Sequence, residues 1–295
     1  MGRVRRRPLA LTLLAAAVVG VGIVAAVALG AGGSSVKSDY AVATSGLERL
    51  EPADTAEAPT GLGTSRPEVT TGAPSMPLAG KTVVIDPGHN GGNASHASEI
   101  NREVDIGTGK KECDTAGAET ASGYTEAAYT FDVAQRLRRV LRRLGAQVVL
   151  TRKNNAGVGP CIDERARIGN RAHADAAVSI HADGGPSSGR GFHVIYPESI
   201  PGLTADIVAA SKRLALDLRA AYQQGTGMPR ADYIGSDGLD QRGDLGGLNL
   251  SDVPKVFIET GNMNNAADAA KLSAPEFRQR VAAAIAVGIE RFVQG

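Results

Sequence analysis

Hydrophobic positions follow three regimes along the chain. Leu9 to Ala31 is almost purely apolar and sits behind the basic stretch MGRVRRRP. Residues 32 to about 79 keep no apolar period at all. From Lys81 onward, short apolar runs alternate with helically spaced ones. Thr82–Asp86 reads as a buried strand, bounded by Gly80 and by Pro87-Gly88, and a polar, glycine-rich loop follows from Asn90 to about Ser122. Ala127, Phe131, Ala134, Leu137, Leu141 and Leu144 share one face of a helix over Thr125–Leu144, which Gly145 ends. Further strands are expected at Ala146–Thr151, Ala176–Ile180, Gly191–Tyr196 and Val256–Ile258. Helices are expected at Asp163–Ala174, Leu203–Tyr222 and Pro275–Phe292, with a Gly/Asp-rich loop from Gly225 to about Gly247. Strands that alternate with helices and are mostly apolar throughout predict an α/β fold. It has a mostly parallel twisted sheet with helices on both faces, as one domain over residues 80–295.

The first two regimes concern placement. An apolar run of this length behind arginines is long enough to span a bilayer, with the N-terminus left inside and the rest exported. It is also compatible with a long signal peptide cut near Ala26–Ala31. Residues 1–31 are therefore expected to be a signal peptide or a membrane anchor. Residues 32–79 are rich in Pro, Gly, Ser, Thr, Ala and Glu and bury too little to offset their ordering entropy. They read as a flexible linker with a reach of roughly 35–40 Å.

Composition narrows the function. Of 295 residues, 32 are Lys or Arg and 31 Asp or Glu, for a net charge of +1, and the basic excess lies in Arg3, Arg5, Arg6 and Arg7. The remainder is mildly acidic, which argues against a nucleic-acid partner. Two cysteines exclude a disulfide-scaffold mini-protein and a four-cysteine zinc site.

In open α/β sheets, ligands bind beyond the carboxyl ends of the strands. His89 follows the first strand, His181 ends a central one, Glu259 ends the last, and Glu126 lies in the first turn of the long helix. Two imidazoles and a carboxylate form a zinc set that leaves a position open for water. A second carboxylate can then move that water's proton to a leaving group. Glu119, close to Glu126, is an alternative ligand.

The segments VVIDPGHNGG (83–92), the Glu126 helix ending in LGAQVVLTR (144–152), ARIGNRAHADAAVSIHAD (166–183) and PKVFIETGNMNN (254–265) carry a family pattern. With these four ordered motifs the chain resembles the zinc-dependent N-acetylmuramoyl-L-alanine amidases of the amidase-3 type, over essentially all of Lys81–Gly295. The resemblance implies one Zn²⁺ held by His89, Glu126 and His181, with Glu259 as the catalytic acid/base. It implies a peptidoglycan hydrolase that cuts the amide between the lactyl group of N-acetylmuramic acid and L-Ala of the stem peptide. Asn262, where the family usually has Phe, and Asp183, where Asn is usual, depart from the pattern and bear on local packing and substrate contacts. Two other classes fit the same residues: a wall-binding protein without catalysis, and a zinc peptidase cutting a different amide.

Arg242 and Asn249, in the glycine-rich loop before the last strand, are candidate substrate contacts. Arg136, Arg138, Arg139, Arg142 and Arg143 read as a solvated helix face, with attraction to anionic wall polymers as the functional option. His96, His173 and His193 read as structural or exposed. In an exported chain, Cys113 and Cys161 are expected to pair and pin the long loop, a bridge that the chain-entropy model values at roughly 4 kcal/mol. The rival reading makes a cysteine a metal ligand. The expected protein is an exported monomer of the periplasm or cell wall. Its partners are peptidoglycan and, through an uncleaved N-terminus, the membrane.

Overall fold

A computed structural model describes residues 76–295, all within one compact unit. The apolar run at 9–31 and residues 32–75 of the expected linker lie outside the described residues. Strand β1 (Thr82–Pro87) leads into a long segment holding α1 (Ala97–Ile100) and a hairpin of β2 (Glu103–Asp105) and β3 (Lys110–Glu112). Then come α2 (Glu126–Arg143), β4 (Gln147–Leu150), α3 (Ile162–Arg171), β5 (Ala176–Asp183), β6 (His193–Pro197) and α4 (Val208–Thr226). The chain finishes with β7 (Leu239–Arg242), α5 (Gly246–Asn249), β8 (Lys255–Asn262), α6 (Ala266–Ser273) and α7 (Pro275–Gln294).

Six strands form one sheet in the order β4-β1-β5-β8-β6-β7. The neighbours from β4 to β8 run parallel. β6 pairs antiparallel with β8 and parallel with β7. The fold is thus the expected α/β class with a mostly parallel sheet. Among the described residues, no helix is long and apolar enough to cross a membrane.

Strand alternation separates two faces. Val83, Ile85, Val178, Ile180, Val194, Val256 and Ile258 form one face, and they pack against Val133 and Leu137 of α2, Leu214 and Leu218 of α4, and Val281 and Ile285 of α7. The other face carries Val84 and Ala177 in a small apolar cluster. Its other positions include Asp86, Ser179, His181, Lys255, Phe257, Glu259 and His193. Near β1 it is covered by α3, whose Arg165 reaches Asp86.

Five details differ from the sequence expectation. The loop over 90–122 contains α1 and the β2–β3 hairpin, and the loop over 225–247 contains β7 and the start of α5. These strands are short and charged (EVD, KKE, LDQR), so no apolar alternation announces them. The expected helix from Leu203 begins at Val208, and α6 is an additional helix capped by the Asn265 side chain. The boundary also moves. Leu78, placed in the linker, is fully buried in the main core and donates its backbone N–H to the Leu144 carbonyl at 2.9 Å.

Candidate active site

His89 leaves β1 through Pro87-Gly88 and adopts a left-handed backbone with φ 56°. Gly88 has no substitute here, because a Cβ would lie 2.3 Å from the His181 ring. Arg152 fixes the same turn by donating to the Pro87 and Gly88 carbonyls at 3.0 and 3.2 Å and to Ala127 of α2 at 2.8 Å. Thr125 caps α2 by accepting from the Ala128 N–H, which starts the helix at Glu126. The Glu126 carboxylate then reaches both imidazoles. Its Oε1 lies 2.9 Å from His181 Nδ1 and its Oε2 lies 3.2 Å from His89 Nε2. Backbone N–H groups of Ala182 and Ala118 donate to the same two oxygens. His181 itself is delivered by β5 and stacks on Phe257 of β8, ring centroids 5.2 Å apart.

His89, Glu126 and His181 each present a donor atom, and these atoms all lie within 4.8 Å of one another. Burial opposes charge on His89, but the carboxylates of Glu126 and Asp114 outweigh it and push the imidazole up to about 10. Burial likewise opposes ionisation of Glu126, and the two imidazoles hold its carboxyl below the usual range. A cluster of this kind demands positive charge. It is the donor set a divalent cation takes, and Gly117 leaves it room, since a Cβ there would stand 2.8 Å from His89 and 2.9 Å from Glu126. These residues fit a metal ion.

Glu259 of β8 lies directly beside His181 in strand register. Its Oε2 is shielded from solvent and has no hydrogen-bond partner among the described residues. Burial first, then the charges of Glu126 and Asp183, push this carboxyl well above its ordinary value. Both Glu259 and the three-residue cluster open into a groove of about 530 Å³, also lined by Arg242, Asp183 and Asn264. Arg242 holds Asp244 through two hydrogen bonds of 2.8 Å.

Asn249 stands elsewhere. It is buried at the end of α5, and its amide donates to Ile106 O, Thr108 Oγ1 and Gly243 O. It braces the hairpin tip against the 243–249 segment, so the expectation of a substrate contact is corrected for this residue. Glu119 is exposed on the groove rim and is not part of the three-residue cluster. Asp183 accepts from Tyr233, and Asn262 donates to the Pro186 and Gly189 carbonyls, so both departures from the family pattern serve local packing. Cys113 and Cys161 are joined by a disulfide, which removes the reading of either as a metal ligand.

Sequence reasoning passed over Asp114 and Arg165. His89 Nδ1 lies 3.1 Å from Asp114, and Arg165 contacts Asp114 and Asp86 at 3.2 and 2.9 Å. The available signal was position: Asp114 follows Cys113, and Arg165 lies one turn after Cys161.

A family model described as N-acetylmuramoyl-L-alanine amidase matches residues 83–291. The chain belongs to the amidase-3 family. This amidase-3 chain is 46% identical over 217 residues to the N-acetylmuramoyl-L-alanine amidase Rv3717 of Mycobacterium tuberculosis, a match covering 73% of this chain and 88% of that protein. Its fold is similar to the crystal structure of an N-acetylmuramyl-L-alanine amidase from Mycobacterium smegmatis, with TM-score 0.69 and 44% identity over 73% of this chain and 98% of that one. It is also similar to an N-acetylmuramoyl-L-alanine amidase of Nostoc punctiforme, with TM-score 0.55 and 27% identity over 75% of this chain and 99% of that one. The family match spans His89, Glu126, His181 and Glu259, the four groups that the fold brings to one groove.

Proposed function

We propose that the chain is a zinc-dependent N-acetylmuramoyl-L-alanine amidase. It hydrolyses the amide between the lactyl group of N-acetylmuramic acid and L-Ala of the peptidoglycan stem. The observation that carries this reading is the convergence of His89, Glu126 and His181 within 4.8 Å, in the same groove as the unpartnered Glu259 carboxylate oxygen.

His89, Glu126 and His181 would hold the ion. When bound, zinc supplies Lewis acidity, drawing electron density from an amide carbonyl and making water acidic near neutral pH. Glu259 accepts a proton from the attacking water as that water's oxygen joins the carbonyl carbon. It then gives the proton to the L-Ala nitrogen as the C–N bond breaks. The products are a lactyl carboxylate and a stem peptide with a free amino terminus. Arg242, in the same groove, is the proposed contact for the substrate's polar groups. The apolar run at 9–31 acts as export signal or anchor and residues 32–75 as a tether, which puts the catalytic domain at the cell wall.

The test is incubation of the zinc-loaded chain with defined muropeptides, followed by mass spectrometry. The expected products are intact stem peptides beginning with L-Ala, and none after exhaustive chelation. Cleavage inside the stem, or full activity without metal, refutes the reading.

A further inference from the structure

The two imidazoles of the cluster are supported differently. His181 is seated on a strand and stacked on Phe257. His89 stands on a loop, and its orientation depends on what its second ring nitrogen meets. Nδ1 lies 3.1 Å from Asp114 Oδ1 and 3.1 Å from the Thr115 carbonyl, with Thr115 Oγ1 at 3.3 Å. Asp114 organises this segment, because its Oδ1 also accepts the Thr115 N–H at 2.8 Å. Its other oxygen accepts from Arg165 Nη2 at 3.2 Å and from Asn90 Nδ2 at 3.5 Å. Arg165 in turn donates to the His89 carbonyl at 3.1 Å and to Asp86 and the Pro87 carbonyl at 2.9 and 2.8 Å. One guanidinium therefore holds the end of β1, the backbone of His89 and the carboxylate facing its ring.

The disulfide joins the two carriers of this arrangement. Cys113 immediately precedes Asp114, and Cys161 caps α3, accepting the Arg165 N–H at 3.0 Å through its carbonyl. Ile162 N–H donates to the Cys113 carbonyl at 2.9 Å, so backbone and sulfur clamp the same junction.

We propose that Asp114 is a positioning residue for His89, presenting Nε2 to the metal, and that Arg165 and the Cys113–Cys161 disulfide hold Asp114 in place. This rests on the metal-centre reading above. A carboxylate behind a ligating imidazole fixes the ring's tautomer and raises its basicity, and its loss weakens metal binding by about 10–100-fold. A carboxylate that only neutralised Arg165 would leave metal affinity alone.

The experiment measures zinc affinity of the oxidised full chain by competition with a chromophoric chelator. It also records the visible spectrum of the cobalt(II)-loaded protein and checks folding by circular dichroism. Wild-type chain that binds no zinc overturns the metal-centre reading itself, independently of Asp114. With wild-type binding established, Asp114→Ala is expected to bind zinc about 10–100-fold more weakly with a shifted cobalt spectrum. Asp114→Asn, which keeps volume and an acceptor, should fall between. The Cys113→Ser/Cys161→Ser double variant, with Asp114 intact, should lose affinity in the same direction. Folded Asp114→Ala with wild-type affinity and spectrum overturns the proposal. If the alanine variant does not fold, Asp114→Asn with wild-type affinity and spectrum does so.

Discussion

The two faces of the central sheet come from the same strands and have opposite chemistry. On one, Val83, Ile85, Val178, Ile180, Val256 and Ile258 bury against α2, α4 and α7. On the other, one residue away in each strand, stand Asp86, Ser179, His181, Lys255 and Glu259. The apolar face supplies burial, at roughly 25 cal/mol per Å². That surplus lets the second face hold buried charges, a feature that is costly unless every partner is in place. The sheet therefore divides labour by residue parity, and substitutions on the two faces should fail in different ways.

Glu259→Gln is the sharpest probe of the polar face. It should lower kcat by about 10²–10⁴-fold while leaving metal content and thermal midpoint intact, as read by steady-state kinetics, elemental analysis and calorimetry. Asp86→Asn should fail by unfolding instead. Burial alone would raise the Asp86 carboxyl, but Lys255 and Arg165 beside it, with the Thr151 hydroxyl, hold it well below the carboxylate range. Removing its charge leaves two buried cations short of a partner and should cost about 3–5 kcal/mol in denaturant titrations. The same group sets an acid limit. Its folded pKa lies below its unfolded value, so its contribution is complete above pH ~4 and fades as the pH falls further. The variant's stability curve should be flatter there than the wild type's.

Leu137→Ala tests the apolar face. Leu137 is fully buried in α2, and the cavity should cost about 2–5 kcal/mol, with kcat per folded molecule unchanged. An equal loss of kcat would break the division between faces. The smallest effect is expected at His193, which is buried on β6, has no Nδ1 partner among the described residues, and whose pKa burial lowers. The unfolded chain gains a proton below pH ~6.5 that the folded one resists, so stability declines as the pH drops through that range. His193→Gln should remove the slope, visible as a thermal midpoint that varies less between pH 7 and pH 5.

Much of this arrangement could be read from residue order. The runs around Ile85, Val178 and Ile258 are long and apolar enough to announce strands, and α2 shows its period from Ala127 to Leu141. His89, His181 and Glu259 stood out because reactive groups directly after apolar strands are conspicuous. Asp86 lay in plain view at the end of one such run, yet its four partners come from the residue after β4 and from α3, β5 and β8, and no local pattern encodes that meeting. The hairpin strands EVD and KKE were illegible for another reason: they are held by pairing across a turn and bury one valine between them. Asn249 looked available in a glycine-rich loop, and only the packed structure shows its amide nitrogen held by Ile106, Thr108 and Gly243.

His89 reaches the groove through a left-handed torsion that a glycine would occupy at ease. Histidine tolerates that region better than most side chains, yet holding it there runs against the backbone's own preference by about 1–3 kcal/mol. The most resilient version of this protein is therefore not its most capable one. Any effort to harden it against heat by relaxing that peptide would blunt the aim of the imidazole it carries.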